Sequence, residues 1–479
     1  MLRFAAALVS GALLALSLPP HDIEPLPWAA LAPLFIAARG LSALETVGAA
    51  IAAALAAGAI LVRWSPEREA LFWGYLPFFW LAVLLAAVLL ARRWLAGRSA
   101  GGWRMTLFTA CAAVGLEWAS TALPLPLTLA LTQSRDLPLI QIASLTGVWG
   151  VSFLVWGVNA ALAECLALRR VDRPLAAAVA ALLALTLVFG ALRLRALAAA
   201  PARSVRVAAV QDVSYAEVGG LAAPSGGAPD RFALTRRAAR DGARLVVWSE
   251  DCLGSAYRPG DPGDPVNALA RRLRLSLVAG YSDDHRPRPH NCAGWIDPSG
   301  ALAGLYHKNH LFLGEDKTVA PGRGSRAFDT PLGRAGLEIC FDTCYTGLTR
   351  SLAAQGARLI AVPTYDPPTP RGVLHELHSA EQPFRAVEND VALVRDDSNG
   401  LSQIVAPDGR ILAQGPLFRP GLVIANVPLG SGRGTVFTRL GDWFAWACAL
   451  GAAALAAKGR CTRKGGRSEK IQLGEADAQ

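Results

Sequence analysis

The chain has 479 residues, 53% of them apolar, and a formal net charge of +10. With a positive mean hydropathy, this composition points to an integral membrane protein and excludes an ordinary soluble domain. The basic residues are not interleaved with aromatics on a soluble stretch, which excludes a nucleic-acid partner and leaves the charge as a topology signal.

In chain order, apolar runs near the roughly 20 residues that cross a bilayer come first. Spans are expected over Leu2 to Leu18, Leu26 to Ala38, Leu41 to Val62, Ala70 to Ala91, Trp103 to Leu123, Leu139 to Leu168 and Pro174 to Leu192, with a last one over Trp443 to Ala457. The second is short and interrupted by Pro25, Pro27 and Pro33, as in a broken or tilted helix. The first lacks a small-residue cleavage site before Pro19 and Pro20, so it reads as a span and not as a removed signal peptide.

Arg3, Arg39, Arg92, Arg93, Arg98, Arg104, Arg169, Arg170, Arg173 and the basic tail from Lys458 to Lys470 fall on one side of these spans, which the positive-inside rule makes cytoplasmic. The long segment before the last span is then outside. Arg193, Arg195, Arg203 and Arg206 lie on that outer side, where they abut a folded domain and the rule is weak. The tail lacks aromatics and reads as a solvated stop-transfer flank touching anionic lipid.

The outer segment alternates β-like and helical stretches. Strands are expected over Val205 to Val210, Leu245 to Trp248, Leu275 to Ala279, Ala301 to Tyr306, Gly336 to Ile339, Leu359 to Val362, Val391 to Val394 and Leu401 to Val405. Helices are expected near Phe232 to Asp241, Val266 to Leu273, Leu348 to Gln355 and Glu376 to Glu388. That alternation predicts an α/β domain. The turns Asp297-Pro298-Ser299-Gly300 and Pro407-Asp408-Gly409-Arg410 predict hairpins, hence mixed sheets. Pro224 to Asp230 reads as a mobile loop. The expected domains are residues 1–198 as membrane helices, 203–430 as an outer catalytic domain, 438–458 as a last membrane helix and 459–479 as a cytoplasmic tail.

Glu250, Lys308 and Cys340 each follow a short apolar run, the place where α/β sheets build sites. A thiol with an ordinary pKa near 8.5 is a poor nucleophile at neutral pH. A lysine ammonium is expected to lower that pKa, and a carboxylate to accept the proton. This assigns Cys340 as nucleophile, Glu250 as base and Lys308 as the cation that stabilises the oxyanion of a tetrahedral intermediate, leading to a thioester. Taken singly, each has an ordinary structural reading as a buried thiol or a solvated loop charge; their joint order favours chemistry. The cysteines and histidines lack zinc-ligand spacing, so no metal is expected, and no cofactor is implied. Cys252, Cys292 and Cys344 lie in the same oxidising compartment as Cys340. They either pair or remain buried thiols.

Trp248-Ser249-Glu250, Tyr306-His307-Lys308-Asn309-His310-Leu311 with Glu315, and Ile339-Cys340-Phe341-Asp342 resemble the three signatures of the nitrilase, or carbon-nitrogen hydrolase, superfamily. Gly356-Ala357-Arg358-Leu359-Ile360 leading to Pro363 is similar to the strand after that family's cysteine. Leu18-Pro19-Pro20, Gly115-Leu116-Glu117-Trp118, Pro138-Leu139-Ile140-Gln141, Thr146-Gly147-Val148-Trp149-Gly150-Val151-Ser152-Phe153, Asn159 and Gly441-Asp442-Trp443-Phe444 resemble the apolipoprotein N-acyltransferases, over nearly the whole chain.

That resemblance implies a bundle of about eight membrane helices carrying a nitrilase-like α/β/β/α sandwich in the bacterial inner membrane, with the catalytic domain on the periplasmic side. It implies an enzyme that takes an acyl chain from a membrane phospholipid, holds it on cysteine, and delivers it to the N-terminal amine of a diacylglyceryl-cysteine lipoprotein. It also implies that Glu315 supports the site beside Asp342, and that His378 and Arg385 match a family His and Arg; His378 is expected as a satisfied structural histidine. Leu311, Phe312 and Leu313 are candidates for the acyl-chain path, with core packing as the alternative.

The sequence departs from the family at Ser249, where proline is usual, at Leu311 to Glu315, at Thr364-Tyr365-Asp366-Pro367-Pro368, and at Asp342, where glutamate is usual. Several of these are closer to soluble amidases. A membrane-anchored amidohydrolase is therefore the alternative expectation, and an inactive binding paralogue a third.

Overall fold

The structure is a computed structural model that describes residues 1–62, 68–97, 102–123, 126, 128–167, 172–200, 203–213, 230–367 and 373–472. The expected loop at Pro224 to Asp230, except Asp230 itself, and Pro368, Arg98, Arg169 and Arg170 lie outside the described residues, as do the side chains of the tail from Lys458 to Lys470. Residues 1–133, 149–187 and 442–479 form one unit, and residues 134–148 and 188–441 a second.

In the first unit, Ser42 starts the helix Ala43–Leu61 with a capping box: its hydroxyl accepts from the Glu45 N–H and the Glu45 carboxylate accepts from the Ser42 N–H. Gly11 in the helix Leu2–Ser17 lets that helix approach Ala53, whose carbonyl oxygen a Cβ would meet at 2.0 Å. Small residues at such contacts are how apolar helices pack where lipid removes the hydrophobic drive. The proline-rich run is a 3-10 turn, Leu26–Trp28, followed by the short helix Ala32–Ala37. Asn159 pins it, accepting from Leu31 and Ala32 N–H and donating to the Pro27 carbonyl. Glu117 is buried and gathers the Leu129 N–H, the Trp156 indole and the Thr128 hydroxyl.

Among the described residues, four helices are long and apolar enough to cross a membrane: Ala43–Leu61, Tyr75–Ala96, Val148–Ala167 and Arg173–Ala199. The expected single span over Leu139 to Leu168 is corrected. Two short helices, Leu137–Ile140 and Ala143–Thr146, precede a break at Gly147, and the long helix starts at Val148. Gly147 has φ +70°, and a Cβ there would meet the Phe437 ring at 2.5 Å, so a helix cannot run through it.

Among the described residues, the second unit contains twelve strands: β1 (Ser204–Gln211), β2 (Leu245–Val247), β3 (Ser276–Ser282), β4 (Asn291–Ile296), β5 (Leu302–His307), β6 (Phe328–Thr330), β7 (Gly333–Leu337), β8 (Leu359–Thr364), β9 (Ala392–Asp397), β10 (Gln403–Val405), β11 (Ile411–Gln414) and β12 (Gly421–Pro428). They form two six-stranded sheets, ordered β12-β1-β2-β3-β4-β5 and β11-β10-β9-β8-β7-β6. β1, β2 and β3 are parallel, whereas β3–β4 and β4–β5 are antiparallel. The Asp297–Gly300 turn joins β4 to β5 and the Pro407–Arg410 turn joins β10 to β11, the two hairpins the sequence predicts.

The sheets face each other, with β1 against β9 and β10. Alternation along the strands sends Ala208, Val246 and Leu277 outward to the helices Arg231–Arg240 and Pro265–Leu273. Ile360, Val362 and Leu393 pack against Thr346–Ala354 and Glu381–Asn389 on the other outer face. The result is a helix–sheet–sheet–helix stack. The expected helix from Glu376 to Glu388 is two helices, Leu374–Ser379 and Glu381–Asn389, because Pro383 cannot donate to the Ser379 carbonyl.

Candidate active site

Glu250, Lys308 and Cys340 meet at the strand ends between the two sheets. Val246 and Val247 anchor the buried β2, and the chain then crosses tightly over Gly280 of β3. A Cβ at Gly280 would meet the Asp251 nitrogen and the Ser249 oxygen at 2.5 Å each. This close approach, with the Gly280 N–H donating to the Ser249 carbonyl, fixes where Glu250 points. Its Oε1 accepts from Lys308 Nζ at 2.8 Å and from Asn291 Nδ2 at 2.6 Å, while its Oε2 accepts from the Tyr365 N–H at 2.9 Å.

Lys308 follows β5 directly and is 2% exposed. Its ammonium also donates to Glu315, 2.9 Å from Oε2. Glu315 opens a 3-10 turn after Gly314 and accepts from the Phe312 N–H at 2.6 Å. Cys340 begins the 3-10 turn Cys340–Cys344 after β7 and has φ +50°, the left-handed region that a residue with a Cβ seldom occupies. Its Sγ donates to the Tyr365 carbonyl at 3.8 Å and lies within the field of the Glu250 and Lys308 charges.

Asp342 ties these segments together. Its carboxylate accepts from the Tyr306 hydroxyl at 2.7 Å, the His310 N–H at 2.8 Å and the Ile339 N–H at 3.2 Å, so the strand end bearing Lys308 and the turn bearing Cys340 share one buried anchor. His310 stacks on Tyr345 with ring centres 3.9 Å apart. Phe312 meets Phe341 edge-on at 5.3 Å, next to Cys340, and Leu311, Phe312 and Leu313 are all half-buried.

The electrostatics correct one expectation. Burial pushes the Cys340 thiol well above its ordinary value, and the Glu250 and Asp366 charges add to this; Lys308 and Arg395 oppose it without prevailing. The sulfur is held as a thiol. Burial also raises the Glu250 carboxyl, although Lys308 and the hydrogen bonds it receives pull the other way. Lys308 itself is raised: burial disfavours its ammonium, but the charges of Glu250, Cys340 and Glu315 outweigh that. A buried ammonium paired with a carboxylate, beside a neutral thiol, can move a proton from sulfur to oxygen as the sulfur attacks a carbonyl, while the ammonium faces the negative charge that develops.

Asn291 and Arg395 carry no sequence signature. Asn291 pairs across the hairpin with Lys308, since Cys292 stands opposite His307. Counting back from the Asp297–Gly300 turn misses it by one residue, because the register shifts between Trp295 and Ile296. Below Cys340, His378 bridges the Cys340 carbonyl (3.1 Å) and Asp366 (2.8 Å), and Arg395 binds Asp366 at 2.9 Å and Asp397 at 2.5 Å. Although Asp366 is buried, the facing His378 and Arg395 hold its carboxyl below the usual carboxylate range. Arg385 is buried elsewhere and pairs with Glu381 and Glu388.

Cys252, Cys292 and Cys344 are unpaired thiols; burial pushes Cys252 and Cys292 up to about 12. Spacing along the chain overlooks two groups of possible metal-ligating side chains: Cys340 with Asp366 and His378, inside the site, and Asp283 with Cys292 and His307, outside it.

Facing sheets that deliver a glutamate, a lysine and a cysteine to one point define a carbon-nitrogen hydrolase domain, and residues 206–435 match that family. Residues 10–161 match the apolipoprotein N-acyltransferase N-terminal domain. An apolipoprotein N-acyltransferase of Geobacter metallireducens is 32% identical over 95% of this chain and 94% of its own length. Another, of Gloeobacter violaceus, is 28% identical over 92% of this chain and 90% of its own. The omega-amidase NIT2 of Homo sapiens is 30% identical over 37% of this chain and 75% of its own. Among solved structures, an amidase from Nesterenkonia sp. is 22% identical, with a TM-score of 0.38, over 48% of this chain and 92% of that one. The chain belongs to the apolipoprotein N-acyltransferase family.

Proposed function

We propose that the protein transfers a fatty acyl chain from a membrane phospholipid, through a thioester on Cys340, to the N-terminal amine of a diacylglyceryl-cysteine lipoprotein. Family membership supports lipoprotein N-acylation by an enzyme. The observation that carries the finer reading is the buried Glu250–Lys308 ion pair, whose two charges both act on the Cys340 thiol, in a chain so related.

In the first half-reaction Glu250 takes the Cys340 proton as sulfur attacks the ester carbonyl. Lys308 faces the oxyanion, and protonated Glu250 returns the proton to the departing lysophospholipid oxygen. In the second, the neutral lipoprotein amine attacks the thioester, and Glu250 accepts its proton and hands it to the departing sulfur, which leaves as a thiol. Asp342 and Glu315 position Lys308 and the Cys340 turn, and Leu311, Phe312 and Leu313 border the acyl path.

We read the four long apolar helices, with Leu2–Ser17, Leu26–Ala37, Gly102–Ser120 and Trp443–Ala457, as an eight-span bundle. Residues 203–430 then form a periplasmic domain and 459–479 a cytoplasmic tail, in the orientation the arginines favour.

The similarity to an omega-amidase over the catalytic domain supports a second reading, in which water resolves the thioester. Incubating the detergent-purified protein with labelled phospholipid and a diacylated lipopeptide separates the two. N-acylated peptide and lysophospholipid are expected; free fatty acid with unmodified peptide would overturn the transferase reading.

A further inference from the structure

β4 and β5 pair with Cys292 directly opposite His307, so their neighbours Asn291 and Lys308 project from the other face of the hairpin. That other face belongs to Glu250. On the reverse face the Cys292 thiol, the His307 imidazole and the Asp283 carboxylate each bring one donor atom within 4.8 Å of the other two. Asp283 follows β3 and is oriented by its surroundings: Oδ1 accepts from the His290 N–H at 2.7 Å and the His285 N–H at 3.1 Å, and Oδ2 meets His290 Nδ1 at 2.8 Å. Ligating carboxylates are themselves hydrogen-bonded, and His290 with the His285 N–H supplies that support here. The His290 ring stacks on that of His307, 4.4 Å away and 7° from parallel, which fixes the second donor as well. Cys292 is fully buried, whereas Asp283 and His307 are half-buried, leaving an approach from solvent.

We propose that Asp283, Cys292 and His307 bind a divalent transition-metal ion of the zinc type. One sulfur, one nitrogen and one oxygen donor match the preferences of zinc, and a three-ligand site leaves a fourth position for water. On binding, the Cys292 thiol gives its proton to solvent as the sulfur–metal bond forms; thiolate and carboxylate balance the two positive charges, and nothing is oxidised or reduced. The ion cross-links β4 to β5 and to the segment after β3, and so stiffens the hairpin that presents Asn291 and Lys308. This site stands apart from the acyl-transfer reading, because its test is binding.

The full-length protein in detergent, stripped with a chelator, is titrated with Co²⁺ and then Zn²⁺. Expected are one Co²⁺ per chain, a thiolate-to-cobalt charge-transfer absorption, and its loss as Zn²⁺ displaces cobalt. Cys340→Ala, which removes the thiol of the other cluster, should keep this absorption, and Cys292→Ser should lose it. Because Cys292 lies in the core, His307→Gln on the half-buried strand end is the second variant. It should bind at least about tenfold more weakly and lose the rise in melting temperature that Zn²⁺ gives the natural chain. No stoichiometric binding by the natural chain, an absorption that survives Cys292→Ser, or unchanged affinity in His307→Gln would each overturn the proposal.

Discussion

At the level of single residues, the proposed proton traffic runs through Glu250. Its carboxyl must be ionised to accept the thiol proton, and burial lifts it above the ordinary 4.5. The rate of Cys340 acylation should therefore climb with pH along a limb displaced upward from 4.5, as followed by the acyl mass increment on the Cys340 peptide. Glu250→Gln should lower that rate by about 10²- to 10⁴-fold. Lys308→Met should cost about 3 kcal/mol of transition-state stabilisation, measured as lost kcat/KM with folding verified by melting temperature. The positions of Glu250, Lys308 and Cys340 were legible because each closes a short apolar strand within a recognisable motif. The protonation state of the sulfur was not legible. It depends on how completely Cys340 is buried and on Glu250 and Asp366 facing it, and those carboxylates are brought there only by folding.

At the level of elements, the site depends on one crossing. With the Ser249–Asp251 backbone lying on Gly280, Gly280→Val forces a branched side chain against atoms that cannot yield. Overpacking of this kind costs about 1–3 kcal/mol, and here it also shifts Glu250. Thermal unfolding together with the acyl-adduct assay should show lower stability and little adduct; an unchanged adduct rate would refute this account of the crossing. Glu338, at the end of the β7 run, is fully buried, and among the described residues only the Thr349 hydroxyl hydrogen-bonds its carboxyl, on one oxygen. Burial raises its pKa to about 8 from an ordinary 4.5. The folded chain thus keeps a proton that the unfolded chain releases, so this contribution is greatest below pH 4.5 and is lost as pH rises to about 8. The slope reaches at most about 1.4 kcal/mol per pH unit. Glu338→Gln should flatten the fall of melting temperature across that window. Eight of the strands and both hairpins could be read from β-branched runs and turn residues. β4 could not, because Asn291-Cys292-Ala293-Gly294 has neither branched side chains nor clean alternation. β12 carries a plain Leu422-Val423-Ile424 run that the expected set omits.

For the whole molecule, orientation is the property that decides which substrates can arrive. Arg240 ends the helix Arg231–Arg240 and is exposed. In cells with a permeabilised outer membrane, Arg240→Cys should react with a membrane-impermeant maleimide without lysis; labelling only after lysis would reverse the topology. Length and hydropathy made the long apolar helices legible. The boundary at Gly147 was hidden, because Thr146-Gly147-Val148 is apolar enough to pass as mid-span, and the ring that reserves this position for glycine comes from Phe437, far along the sequence.

The backbone at position 340 carries a last consequence. Exchanging alanine for glycine normally weakens a fold, since glycine has more freedom to lose. At φ +50° the order inverts, because a methyl group there is crowded by about 1–2 kcal/mol. Of the two variants, Cys340→Gly should melt higher than Cys340→Ala. Aiming the sulfur thus works against holding the chain together.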